Sequence, residues 1–150
     1  MFERTEYILR NLSKISHKQY ELYVISRIIH LLDDPEIEFV CQQLIRVKSG
    51  DWYLADICFP QLKLYLEIDE LQHSKKEHII SDKHRKREII DATDFKEYRI
   101  KIFDESDAQN LKSIYQINRE VDDFIEVLHK EKIKNVKKGK FIAWDPQKKF

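Results

Sequence analysis

Glycine occurs twice and proline three times in these 150 residues. So little of either argues against a loop-rich fold. It also excludes a glycine-rich phosphate cradle, whether a dinucleotide fingerprint or a P-loop. Cysteine is equally scarce: Cys41 and Cys58 stand singly in apolar segments, so no CxxC zinc or redox pattern exists. Two reduced, buried thiols are the expectation. No apolar stretch approaches the roughly 20 residues that span a bilayer, and Met1–Glu6 lacks a basic start followed by an apolar run. The expectation is a soluble protein of the cytoplasm, without membrane contact.

What is present is enough for one domain with one core: 42% hydrophobic residues, including eight Phe, seven Tyr and two Trp. Net charge is zero, from 27 basic and 27 acidic residues, but the distribution is uneven. Residues 130–150 hold eight lysines against Glu131 and Asp145, so an acidic-leaning body precedes a basic tail. A second basic cluster lies inside the body: Lys75, Lys76, Lys83, Arg85, Lys86 and Arg87.

Apolar residues at Tyr20, Val24, Ile28 and Leu31 predict a helix over about 17–32, stopped by Asp33-Asp34-Pro35. Glu21 shares the buried-facing stripe of that helix. Three strands follow: 37–47, 52–59 after the turn Lys48–Asp51, and 62–69 after a tight corner at Pro60-Gln61. A helix over 82–92, a strand over 98–103 and a long helix over 107–131 complete the pattern. The order α-β-β-β-α-β-α predicts an α/β fold, a mixed sheet flanked by helices. The domain is expected over 1–133, with 134–150 a basic linker or the start of a further domain.

The chemistry concentrates in the hairpin. Glu67 and Asp69 share one face of an otherwise apolar strand, their starting points roughly 7 Å apart at about 3.3 Å per residue. A two-residue loop pairs Phe59 with Leu62, which sets Asp56 opposite Tyr65, on the face of Glu67 and diagonal to it. A slip of one residue moves Asp56 to the other face. Converging carboxylates without thiolates favour Mg²⁺ or Mn²⁺, and such an ion polarises a phosphodiester and supplies a hydroxide-like water. The bland alternative is a set of solvated acids paired with lysines.

The segment DICFPQLKLYLEIDELQH, Asp56 to His73, resembles the Vsr-related branch of the PD-(D/E)XK nucleases at six positions: Asp56, Pro60, Glu67, Asp69, Gln72 and His73. With HKQYELYVISRIIHLLDDP before it and FIAWDPQKKF at the end, the chain is similar to the N-terminal half of the AbaSI-type, hydroxymethylcytosine-dependent restriction endonucleases. The resemblance implies a restriction-endonuclease-like fold acting on double-stranded DNA, with Asp56 and Glu67 as metal ligands. It implies a homodimer and a C-terminal SRA-like reading domain absent from this chain. Asp69 stands where the wider superfamily has its catalytic lysine, a departure that leaves Asp69 to bind metal or hold the attacking water.

Glu21 matches the early helix glutamate that reaches the metal through water; a buried, arginine-paired glutamate is the alternative. His73 protonates the leaving oxygen or contacts a phosphate on this reading, with a hydrogen-bonded loop residue as the plain one. His73, His78 and His84 fit no ligand spacing. Lys75, Lys76, Lys83, Arg85, Lys86 and Arg87 grip backbone phosphates in the functional reading and form a solvated helix face in the plain one. A stand-alone Vsr-like repair nuclease and a non-catalytic DNA-binding or dimerisation module are the competing functions.

Overall fold

A computed structural model describes residues 3–70, 76–104 and 110–145. Four strands form one mixed sheet in the order β1-β2-β3-β4, where β1 is Val40–Arg46, β2 Trp52–Phe59, β3 Leu64–Asp69 and β4 Lys96–Lys101. β2 runs antiparallel to both β1 and β3, and β4 runs parallel to β3. Helices α1 (Glu3–Lys14), α2 (Gln19–Leu32), α3 (Lys76–Thr93) and α4 (Ile114–Lys137) flank the sheet. The expected α/β class therefore holds, with one helix more than the order read from the sequence.

That extra helix, α1, has a job at the sheet edge. Asn11, itself buried, accepts from the Cys41 amide, while Lys14 and Tyr7 donate to the Cys41 and Phe39 carbonyls. Side chains thus satisfy the edge of β1 that would otherwise invite another strand. Ile8 and Leu12 of α1, and Ile15 just after it, pack inward at a spacing of i, i+4, i+7.

The larger core lies on the α1/α2/α4 side and takes Ile57, Phe59, Leu64, Leu66, Ile68, Ile100 and Ile102 from the strands. The smaller lies on the α3 side and takes Ile45, Val47, Ala55, Cys58 and Tyr65, with Ile89 of α3. Both thiols are free and buried.

Several boundaries differ from the sequence reading. β1 begins at Val40 rather than 37, and β4 spans Lys96–Lys101 rather than 98–103. α3 starts at Lys76 rather than 82. α4 begins at Ile114, where Ser113 caps it by accepting from the Gln116 amide. Leu111 therefore lies before the helix and is 55% exposed. At its other end α4 runs to Lys137, so the boundary expected at 133 falls inside a helix. Beyond it the chain folds back: the Trp144 amide donates to the Glu36 carbonyl, and Trp144 is buried against Tyr7. No helix among the described residues is long and apolar enough to cross a membrane.

Candidate active site

The corner after β2 is not a two-residue loop. Pro60–Leu62 form one 3-10 turn, and Lys63 enters the left-handed region at φ 52° before β3 begins. Phe59 consequently pairs with Leu64, not Leu62, followed by Cys58 with Tyr65 and Ile57 with Leu66. The register differs from the expected one by two residues, an even shift, so face assignments survive it. Continued by one step, the register sets Asp56 directly opposite Glu67 rather than diagonal to it.

The ladder stops short of that step. One oxygen of Asp56 accepts from the Ile68 amide at 2.7 Å, so a side chain replaces the backbone rung. The β1–β2 register passes from Cys41–Ile57 to Gln43–Ala55 and skips Gln42 and Asp56 between them; Gln42 adopts φ 53°. Alternation along β2 breaks here, since Ile57 and Phe59 face one core and Ala55 joins Cys58 in the other. Asp56 thus occupies a fork between strands.

Three carboxylates meet around this fork. Glu67 is 5% exposed and Glu21 2% exposed. The Gln42 amide donates to Glu21 at 2.5 Å and reaches Asp56 at 3.5 Å, joining α2 to the fork. Burial, then the charge of Asp56, pushes the Glu67 carboxyl up to about 9, against the pull of Arg85. The same two causes push Glu21 up to about 7, opposed by Lys18 and Gln42. Lys18 stands 3.3 Å from Glu21, so the partner of this buried acid is a lysine, not an arginine. Glu70, at the end of β3, accepts from the Glu21 amide and so caps the first turn of α2, whose own N-cap residue Lys18 supplies no side-chain bond.

Asp69 is differently occupied. Arg99 of β4 donates to both its oxygens, at 2.8 and 2.9 Å, and to Glu97 at 3.2 Å. Tyr65 donates to the same Glu97 oxygen at 3.0 Å. Arg99, paired in register with Glu67, is a residue the sequence reading did not single out. Gln42, Lys18 and Glu70 were missed as well. A positive φ at a glutamine has no sequence signature, and the other partners lie on elements remote in sequence.

Arg85, expected to face phosphates, turns inward from α3. Its Nη2 donates to Glu67 at 3.0 Å and to the Leu54 carbonyl at 2.6 Å, with the guanidinium over the Tyr53 ring. Lys86 stands 3.9 Å from Glu97, while Lys83 and Arg87 are exposed one turn apart on α3. Lys76 opens α3. Gln72, His73, Lys75 and any contact they make lie outside the described residues. Among the described residues no three His, Cys, Asp or Glu groups gather closely enough to cage a metal ion.

A search of curated proteins finds no match. Among solved structures, the 5-hydroxymethylcytosine-specific restriction enzyme AbaSI superposes with a TM-score of 0.74 at 31% identity, over 94% of this chain and 50% of that one. The chain thus spans about half the length of that enzyme. A family model for the N-terminal region of PvuRts1 I-like restriction endonucleases matches residues 5–144, and the chain belongs to that family.

Proposed function

We propose that this domain is the catalytic part of a modified-cytosine restriction endonuclease, hydrolysing phosphodiesters of double-stranded DNA with Mg²⁺, for which Mn²⁺ substitutes. The observation that carries the reading is the meeting of Asp56 and buried Glu67 at a strand fork. Without a metal ion, two such carboxylates repel each other: Arg85 donates to Glu67, and burial with the charge of Asp56 pushes the Glu67 carboxyl up.

The donor set fits a hard divalent ion. Mg²⁺ takes one or two carboxylates and fills its remaining positions with water and phosphate oxygen, so a cage of three protein ligands is not needed. Asp56 and Glu67 are the proposed ligands, and the bound ion supplies Lewis-acid polarisation of the phosphodiester and a more acidic water. Glu21, held close to Asp56 through Gln42, is placed to orient that water or accept its proton. Asp69 is assigned a positioning role, because Arg99 engages both of its oxygens. Lys83 and Arg87 present exposed charge to backbone phosphates. Choice of the modified base is assigned to an SRA-like reading domain. Cutting of both strands is assigned to a homodimer, since one such site cuts one strand.

The test is cleavage of hydroxymethylcytosine-containing and ordinary duplexes, with Mg²⁺ or EDTA, by wild type and Glu67→Gln. Cutting is expected only with the metal and only in wild type. Cutting that persists in EDTA, or in Glu67→Gln, overturns the assignment. Equal cutting of both duplexes places base choice outside these residues.

A further inference from the structure

Arg85 holds an unusual position for a residue on a basic helix. One of its nitrogens, Nη2, serves two acceptors, the Glu67 carboxylate and the Leu54 carbonyl. Its Nε is buried without any hydrogen-bond partner. The side chain is 28% exposed, so it lies at the boundary between the acid cluster and solvent. A guanidinium has five N–H donors in a planar fork, and its Nε/Nη2 edge matches two oxygens of a phosphate. Here Nε is unpaired, while Nη2, the other donor of that edge, is engaged by Glu67 and Leu54.

We propose that Arg85 is an exchangeable cation: it neutralises Glu67 while no metal is bound, and a divalent ion displaces it toward a DNA phosphate. The proposal rests on the metal-nuclease reading above. Two cations cannot share one buried carboxylate without repelling each other. A divalent ion at Asp56 and Glu67 therefore weakens the Arg85–Glu67 bond. On this proposal the displaced guanidinium stays beside Leu54 and Tyr53, and loss of Glu67 frees an Nη2–H that joins the unpaired Nε–H in holding a new anion. Metal loading and phosphate grip are thereby coupled in one side chain. An arginine that merely props Glu67 in place makes the opposite prediction, because removing a positioning partner loosens metal binding.

Two measurements on the whole chain decide between them. The first is calorimetric titration with Mn²⁺ of wild type, Arg85→Ala and Arg85→Gln, the last keeping a donor for the Leu54 carbonyl should the alanine variant fold poorly. Both variants are expected to bind Mn²⁺ about tenfold more tightly, the scale of one lost charge-assisted hydrogen bond. The second is fluorescence anisotropy with a labelled duplex, in EDTA and in Ca²⁺ as a metal assumed not to support cutting. Removing Arg85 is expected to weaken DNA binding about tenfold in Ca²⁺ and little in EDTA, where Glu67 already occupies it. Equal or looser Mn²⁺ binding by the variants overturns the exchange while leaving the metal site intact. An equal loss of DNA affinity in EDTA and Ca²⁺ overturns it too, since Arg85 is then a fixed contact. Absence of Mn²⁺ heat from wild type sinks the metal-nuclease reading itself, and the exchange with it.

Discussion

Glu67 sets the behaviour of the site because it is a carboxyl kept from water. In the unfolded chain it titrates near the ordinary 4.5, whereas burial and Asp56 push it to about 9 in the fold. Between those values the folded protein holds a proton that the unfolded chain has lost, so stability falls as pH rises through that window. In EDTA the melting temperature is expected to drop from pH 5 to pH 9; Mn²⁺ is expected to reverse the drop, and Glu67→Gln to flatten it. A flat wild-type profile in a pH series of thermal melts counts against the shared proton. Asp56 divides along a different line. Asp56→Asn keeps an oxygen for the Ile68 amide, so it is expected to fold normally and lose metal binding by calorimetry. Asp56→Ala leaves that amide unpaired and is expected to cost a further 1–3 kcal/mol or so in urea unfolding.

At the scale of elements, the hairpin was legible and its loop was not. Trp52–Phe59 reads as a strand from its β-branched and aromatic residues, and the structure gives those same ends. Pro60-Gln61 reads as a tight corner, yet Leu62 and Lys63 belong to it too, and a 3-10 turn with Leu62 buried is a packing decision no local pattern records. The placing of Asp56 and Glu67 on one face withstood the error only because the register moved by an even number of residues. The α1 helix was legible in principle from Ile8, Leu12 and Ile15, but its polar surroundings hid the stripe. Asp69 was read from its strand alone; its arginine lies 30 residues away on β4, and pairing of that kind comes from topology. On α3, the basic run splits by direction. Arg85 turns in, while Lys83 and Arg87 stay out. Alanine at Lys83 or Arg87 is expected to lower the slope of log affinity against log salt by about 1 each, with little change in stability. An unchanged slope removes them from the DNA face.

Across the whole molecule, the described part of the basic segment, through residue 145, packs on the folded body. Phe141 packs against the main core with Lys132 over its ring, and the Ile142 carbonyl accepts from Gln61 at 2.6 Å. Trp144 sits on Tyr7 of α1, so residues near both ends of the described chain close on each other. Charge and irregularity made 134–150 read as a basic linker or the start of a further domain; within it, Phe141 and Trp144 pack on the body. Trp144→Ala is expected to cost about 3 kcal/mol, toward the low end for removing a large aromatic from a core. The low end applies because its indole N–H is buried without a partner, which subtracts from the packing gain. Urea unfolding of the full chain reads this, and a loss below about 1 kcal/mol shows that the segment is only laid on the surface.

The two tryptophans occupy opposite environments. Trp144 is 9% exposed, and Trp52, the first residue of β2 and two residues from the Leu54 carbonyl that holds Arg85, is 60% exposed. Their light emission therefore separates: a blue-shifted component shielded from iodide follows unfolding at the α1 seam, and a red-shifted, quenchable one follows events beside the acid cluster. A duplex laid across the site should shield only the second, so an unlabelled sample reports folding and DNA occupancy at once.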